Sequence, residues 1–266
     1  MKICIDAGHY GKYNRSPVNG AYYESDMAWK LHLYLKAELE AYGVEVVTTR
    51  AKQAKDLSLM QRGQAAKGCD LFISVHSNAC EDETADHPLA CCTITGKADS
   101  IGQKLADAVA ETMETKQKGR IWKKKGTYGN DWFTVLYGAA SVGVPGVLME
   151  HSFHTNRAAV DWLLVDANLR KLAAAEAKTI AEHYGLTKAT AKPSAPAASA
   201  PDTATTSYRV CVTIDDLNIR TGPGTNYPTT GKFTGRGVFT IVETQGTWGR
   251  LKSGAGWISL NYATKI

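Results

Sequence analysis

KICIDAGH, residues 2–9, joins a short apolar run to a turn that contains glycine and histidine. Three later runs, at 44–48, 71–75 and 147–149, are also short and apolar, as expected of buried strands. Between these runs, apolar residues recur at the three- and four-residue steps of an amphipathic helix. They are Met27, Leu31, Tyr34, Leu35, Leu39, Ile101, Leu105, Val109, Met113, Leu172, Ala175 and Ile180. Strands that alternate with helices predict an α/β domain.

The length of 266 residues favours two domains. Residues 187–207 consist mainly of Ala, Thr, Pro and Ser, and such a segment cannot bury enough apolar surface to offset the entropy of ordering. We therefore expect a flexible linker at 187–207 between domains at 1–186 and 208–266. The second domain is predicted to be all-β, because its apolar segments are short and separated by turn residues. These segments are 208–212, 217–219, 238–242, 248–251 and 256–258.

Two histidines occupy equivalent places at the ends of predicted strands. His9 follows the first strand, and His76 ends the run at 71–75. Glu24 opens the first amphipathic helix, where the helix dipole favours a carboxylate. Two imidazoles and one carboxylate leave a tetrahedral zinc ion with an open position, which is typical of catalytic zinc sites. Glu150 ends the strand-like run at 147–149 and can act as a base beside such a metal.

Each of these residues also has a purely structural interpretation. A histidine at a strand end commonly caps or hydrogen-bonds a loop. Glu24 can simply favour its helix N-terminus, and Glu150 can be the buried partner of an arginine. No HExxH motif occurs in the chain, so a zinc site must be assembled from distant segments.

The same residues lie in segments that resemble the zinc-dependent N-acetylmuramoyl-L-alanine amidases of the amidase-3 family. The resemblance covers nearly the whole first domain, through positions 5–9, 24, 49–50, 57–59, 62, 71–78, 145–150, 153 and 156. It implies a mixed sheet flanked by helices. It also implies that His9, Glu24 and His76 bind Zn²⁺ and that Glu150 is the catalytic carboxylate. The implied reaction is hydrolysis of the amide between N-acetylmuramic acid and L-alanine in peptidoglycan.

Other residues of this domain carry weaker expectations. Arg50 and Arg62 match positions of the family, and we expect each to pair with a carboxylate of the scaffold. His151 should point to the opposite side of its strand from Glu150. His154 is expected to contact substrate or to face solvent. His87 is a spare histidine in the loop after His76, and the basic segment 116–131 resembles a loop on the substrate side.

The second domain resembles bacterial SH3 (SH3b) modules, through LNIRTGPGTNYP at 217–228 and GWISLNY at 256–262. This resemblance implies a small SH3-like barrel that docks on cell-wall peptides or polymers. Trp248 is expected in its core, whereas Tyr227 and Tyr262 are better candidates for its surface.

The expected partner is bacterial peptidoglycan, with no membrane, no nucleic acid and no obligate protein partner. The net charge of +5 is modest, and no nucleic-acid-binding motif accompanies the lysines. No signal peptide is evident and six cysteines form no framework, so we expect synthesis in the cytoplasm with reduced thiols. Action at the wall then requires release by lysis, a holin pore or a non-standard exporter. Two other functions remain open: a zinc peptidase that cuts within the stem peptide, and a wall-binding protein without activity.

Overall fold

The computed structural model describes residues 1–188, 207–214, 217–224, 227 and 229–266. The chain forms two compact units, Met1–Lys192 and Pro193–Ile266. The division falls within the predicted linker at 187–207, of which residues 189–206 lie outside the described residues. Among the described residues, no helix combines the length and the apolar character that crossing a bilayer requires.

The first unit alternates strands and helices, as the sequence predicts. Its strands are β1 Lys2–Ala7, β2 Glu45–Thr48, β3 Leu71–Asn78, β4 Leu89–Cys92, β5 Arg120–Trp122 and β6 Gly146–Phe153. Its helices are α1 Glu24–Ala41, α2 Leu59–Gln64, α3 Asp99–Met113, α4 Thr134–Ser141, α5 Arg157–Leu163 and α6 Asp166–His183.

The six strands form one sheet in the order β2-β1-β3-β6-β4-β5. Strand β4 runs antiparallel to β6, whereas the other neighbours are parallel, so the predicted mixed sheet flanked by helices is confirmed. Because β1, β3 and β6 are parallel, their carboxyl ends meet at one edge of the sheet. His9, His76 and Glu150 therefore converge there although they are far apart in sequence.

Both faces of the central strands β1, β3 and β6 are buried, which explains why these strands begin as nearly continuous apolar runs. On one face, Ile5, Ile73 and Met149 pack in a cluster with residues of α1, α3 and α6. On the other face, Phe72 and Leu148 pack in a second cluster with residues of α4. This packing holds the strand ends, and the side chains they carry, in fixed positions.

Helices α2 and α4 pack at unusually close range because glycines lie at their contact. A Cβ atom on Gly63 would lie 2.1 Å from the carbonyl oxygen of Val135 and 2.5 Å from the amide nitrogen of Ala139. From α4, a Cβ atom on Gly138 would lie 2.6 Å from the carbonyl oxygen of Met60. Helix α2 carries Arg62, whose guanidinium reaches the turn that contains His9, so this packing also positions the site.

We expect Gly63→Ala to lower the free energy of unfolding of the first unit by about 1–3 kcal/mol, because the added methyl group forces α2 away from α4. Urea denaturation followed by circular dichroism measures this change. The exposed neighbour Gln64 provides a matched control, and Gln64→Ala should leave the stability almost unchanged. Equal stabilities of the two variants would show that the close packing does not matter.

The second unit is all-β, as predicted. Its strands are β7 Tyr208–Val212, β8 Asn218–Arg220, β9 Thr229–Phe233, β10 Gly237–Gln245, β11 Trp248–Leu251, β12 Trp257–Ser259 and β13 Ala263–Lys265. They form one sheet in the order β13-β7-β10-β11-β12-β8-β9 around a small apolar core. Tyr227 and Tyr262 are exposed, whereas Trp257 is buried. Trp248, expected in the core, is half-buried.

Candidate metal centre

His9, Glu24 and His76 come together at the carboxyl edge of the sheet. Each offers one ligand atom, and these atoms all lie within 4.8 Å of one another. His9 lies just beyond β1 in the left-handed backbone region, with φ 55°, and Glu24 is the first residue of α1. A left-handed non-glycine residue is typical of functional sites, where the surrounding contacts hold it in place. Three separate elements thus supply one cluster.

The carboxylate of Glu24 lies between the two imidazoles. Its Oε2 is 3.1 Å from His9 Nε2, and its Oε1 is 2.7 Å from His76 Nδ1. Burial alone would raise the pKa of Glu24, but hydrogen bonds and charge from His76 and His9 hold this pKa well below its usual value. Glu24 is therefore ionised, as a metal ligand must be.

A second set of contacts fixes the ring of His76. Its Nε2 lies 3.1 Å from Ser74 Oγ, and this hydroxyl donates to Asp6 Oδ2 at 2.9 Å. With Ser74 donating to Asp6, its oxygen is free to accept from the Nε2–H of His76. With a metal bound, that tautomer would leave Nδ1 unprotonated as a ligand atom, in the way that outer contacts commonly orient a metal-binding histidine.

Glu150 lies beside this cluster, directly across from His76 in the pairing of β3 with β6. Its side chain is buried, and its Oε2 has no hydrogen-bond partner among the described residues. Burial and the nearby charge of Glu24 raise the pKa of Glu150 well above its ordinary value. A carboxyl group with a raised pKa is suited to take up and release a proton near neutral pH.

The residues present fit a divalent cation. Two buried carboxylates at close range repel each other unless a cation or a proton intervenes, and Glu150 has an unpaired oxygen there. The two imidazole nitrogens and the Glu24 carboxylate are the donor types that zinc prefers, and three protein ligands leave room for one more.

Comparisons with known proteins place the first unit in a family. The profile of Amidase_3, described as N-acetylmuramoyl-L-alanine amidase, matches residues 3–182. This chain belongs to the Amidase_3 family. The enzyme class that the sequence predicts, N-acetylmuramoyl-L-alanine amidase, is thereby confirmed. A search of curated proteins found no match.

Solved structures share the fold of this amidase. Cwp6 from Clostridium difficile has a TM-score of 0.59 at 23% identity, over 68% of this chain and 29% of that longer chain. The catalytic domain of CwlV from Bacillus (Paenibacillus) polymyxa var. colistinus has a TM-score of 0.60 at 20% identity, over 70% of this chain and 99% of that one. AmiC2 of Nostoc punctiforme has a TM-score of 0.59 at 21% identity, over 70% and 97%.

The turn of the amidase that carries His9 is held by two arginines. Arg62 donates to the carbonyl oxygens of Ala7 and His9, both at 2.9 Å, and Arg50 also donates to His9. Arg62 forms ion pairs with Asp6 at 3.5 Å and Asp56 at 2.6 Å, which confirms its expected pairing with carboxylates. Arg50 has no such ion pair among the described residues and binds loop carbonyls instead.

A bulge in β6 determines the positions of His151 and His154. His76 pairs with Glu150 and Asn78 with Phe153, so β6 contains one more residue than β3 across this step. His151 points to the opposite side from Glu150, as predicted, and its Nε2 lies 3.1 Å from Glu176 Oε1 on α6.

His154 and His87 lie in different places beyond this bulge. The N–H of His154 donates to the carbonyl oxygen of Asn78 at 2.7 Å, and its ring is buried with Nδ1 3.9 Å from Glu24 Oε2. His154 therefore does not face solvent, which was one of its two expected positions, and it borders the metal cluster. His87 instead contacts the ring of Phe153, with centroids 4.9 Å apart.

The expectation of a substrate-side loop at 116–131 is wrong for its second half. Strand β5 runs from the edge that carries Glu150 toward the opposite edge of the sheet. The residues after β5 therefore lie at the edge where β6 begins. There Asp131 Oδ1 accepts from the amide of Ile94 at 2.7 Å, just beyond β4. The residues before β5 lie at the same edge as Glu150, because Leu89 of β4 pairs with both Glu150 and Arg120.

His76 can occupy its observed position only because Gly8 has no side chain. A Cβ atom on Gly8 would lie 2.5 Å from His76 Cε1 and 2.7 Å from His76 Nδ1. We expect Gly8→Ala to displace this imidazole and to weaken metal affinity by about 10- to 100-fold, a size typical for the loss of a contact that orients a ligand. Titration of the purified protein with zinc measures the affinity.

Gly146→Ala provides the control, since a Cβ atom there is also crowded, 3.1 Å from Leu136 Cδ2, but lies at the start of β6. This control should lose stability and retain its zinc affinity. Retention of full zinc affinity by Gly8→Ala would contradict the proposed position of His76.

Proposed function

We propose that this amidase is zinc-dependent and hydrolyses the amide between the lactyl group of N-acetylmuramic acid and L-alanine, the first residue of the stem peptide. The observation that carries this proposal is the cluster of His9, Glu24 and His76, with ligand atoms within 4.8 Å, beside the buried Glu150. Its donor set is that of catalytic zinc, and Glu150 stays outside it as the proton carrier.

In the proposed mechanism, His9, Glu24 and His76 would hold the zinc ion. When bound, zinc lowers the pKa of water and polarises a carbonyl group. Glu150 accepts a proton from the attacking water as the new C–O bond forms at the amide carbon. It then gives this proton to the nitrogen of L-alanine as the C–N bond breaks, which yields a lactyl carboxylate and a stem peptide with a free amine. The raised pKa of Glu150 favours the first of these transfers, the uptake of the proton from water.

The two alternatives differ in their products. A zinc peptidase would use the same residues but would leave L-alanine attached to muramic acid. A wall-binding protein without activity would be expected to lack a ligand or the carboxylate base. This chain retains all four residues in one cluster at the carboxyl edge of the sheet, which favours an enzyme.

For the second unit we propose attachment to the cell wall, through an SH3b-type module. The resemblance of segments 217–228 and 256–262 supports this role, and so does the exposure of Tyr227 and Tyr262. Aromatic side chains at a surface commonly provide contact area for a ligand. Attachment of this kind would raise the concentration of substrate that the catalytic unit meets.

Digestion of purified peptidoglycan, with mass spectrometry of the products, tests the proposed reaction. We expect stem peptides that begin with L-alanine, because the cut falls on the muramyl side of that residue. A chelator should abolish the activity, and added zinc should restore it. Peptide fragments that remain attached to muramic acid would instead support the peptidase.

Site variants separate metal binding from proton transfer in the same assay. His9→Ala and His76→Ala should lose both zinc and activity. Glu150→Gln should keep zinc in equal amount and lose turnover by about 100-fold or more, because the amide cannot carry a proton. An active Glu150→Gln would contradict the role of Glu150 as the base.

Removal of the second unit tests wall attachment. A chain that ends at residue 188 should cleave a soluble muropeptide as fast as the full chain, because the cluster lies wholly in the first unit. It should sediment less with insoluble wall and digest that wall about 10-fold or more slowly, since the tether is lost. Equal sedimentation of the two chains would contradict a wall-binding role.

A further inference from the structure

A small cleft lies on the far side of Glu150 from β3 and belongs to no part of the mechanism above. It holds about 180 Å³, and its lining includes two cationic side chains, those of Lys118 and Arg120. Its lining residues are Asp82, Ala85, His87, Gln117, Lys118 and Arg120.

Strand pairing places this cleft close to the candidate active site. Leu89 of β4 pairs with Glu150 on one side and with Arg120 on the other. Residues that pair across neighbouring strands share a face of the sheet, so Glu150 and Arg120 lie in one row on the same face. Two strand spacings separate them, which is about 10 Å between their Cα atoms.

The cationic groups of the cleft are available to a ligand. Arg120 and Lys118 are exposed, and neither forms an ion pair with a carboxylate among the residues that the structure describes. The one carboxylate in the lining, Asp82, forms no ion pair with either cation among these residues, and its Oδ1 accepts from the amide and the hydroxyl of Thr84 at 2.9 and 2.6 Å.

The guanidinium of Arg120 is also held in position. Its Nη2 donates to His87 Nε2 at 3.1 Å, and the opposite nitrogen of His87 lies 3.4 Å from Gln117 Oε1. The ring of His87 packs against Phe153 of β6, three residues beyond Glu150. This chain of contacts fixes one corner of the guanidinium and leaves the remaining N–H groups for a planar, bidentate ligand.

We propose that this cleft binds a free carboxylate of the stem peptide, with Arg120 as the principal contact and Lys118 as a second charge. A carboxylate matches the guanidinium fork in geometry and in charge. The separation of about 10 Å corresponds to about three residues of extended chain, which is within a stem peptide whose first residue lies at the scissile bond. The proposal rests on the proposed function and adds a determinant of substrate choice to it.

The test uses the zinc-loaded full chain and two soluble muropeptides of identical sequence, one with free carboxylates along the stem and one with these groups converted to carboxamides. We expect the wild-type chain to favour the free carboxylates by about 10-fold or more in kcat/KM, since hydrogen bonds between charged groups are stronger than neutral ones. Arg120→Ala should remove this preference by lowering only the rate on the free form. Arg120→Lys should keep part of it.

Lys67→Ala is the matched control, because Lys67 is an exposed cation in the loop after α2. It should leave both rates unchanged. Equal losses on both substrates in Arg120→Ala, or a wild-type chain without preference, would overturn the proposal while leaving the amidase assignment intact.

Calorimetric binding of the two released stem peptides, free and amidated, tests the cleft without turnover. If the free form binds more tightly and Arg120→Ala abolishes this difference, the cleft is supported even if neither muropeptide is cleaved. A failure to cleave either muropeptide would refute only the proposed reaction. Equal affinity for the two peptides would refute the cleft.

Discussion

The Glu24 carboxylate, held between the imidazoles of His9 and His76, is the contact on which the catalytic unit depends. It joins the turn after β1, the start of α1 and the end of β3. Its two oxygens lie 3.1 Å from His9 Nε2 and 2.7 Å from His76 Nδ1. Much of the surrounding structure serves to place these three groups. Arg50 and Arg62 hold the His9 turn, Ser74 and Asp6 fix the ring of His76, and the missing side chain of Gly8 makes room for it.

This arrangement places charge where the fold alone would not favour it. Glu24 and Glu150 are both buried at one edge of the sheet, and His151 with Glu176 forms a further buried pair beneath it. Burial of unpaired charge is unfavourable, so these groups are compatible with a stable fold only when a cation or a proton balances them. The raised pKa of Glu150 favours its protonated form, and the lowered pKa of Glu24 favours its ionised form, so only one of the two carboxyl groups tends to carry charge. The same imbalance suits the two carboxylates to different roles, one as ligand and one as proton carrier.

The sequence predicts the α/β class, four of the six strands and the residues of the cluster, because buried strands and a strand-end histidine leave local signals. It does not predict β4 and β5, which are only four and three residues long and have no clear pattern. The course of β5 across the sheet depends on pairing with β4, so the far half of 116–131 is assigned to the wrong edge. The position of His154 depends on the bulge after Glu150, which no local pattern reveals. The zinc ion, the roles of the four residues and the SH3-like barrel stay predictions.

X-ray absorption at the zinc edge tests the central claim most directly, because it identifies the ligands without reference to activity. With one equivalent of zinc, the account predicts two imidazole nitrogens and a carboxylate oxygen at about 2.0–2.2 Å and no sulfur. Glu24→Ala should lose the carboxylate contribution and bind zinc more weakly, whereas His154→Ala should leave the spectrum unchanged. A spectrum with three imidazoles, or one that is the same with and without the Glu24 carboxylate, would contradict the proposed centre.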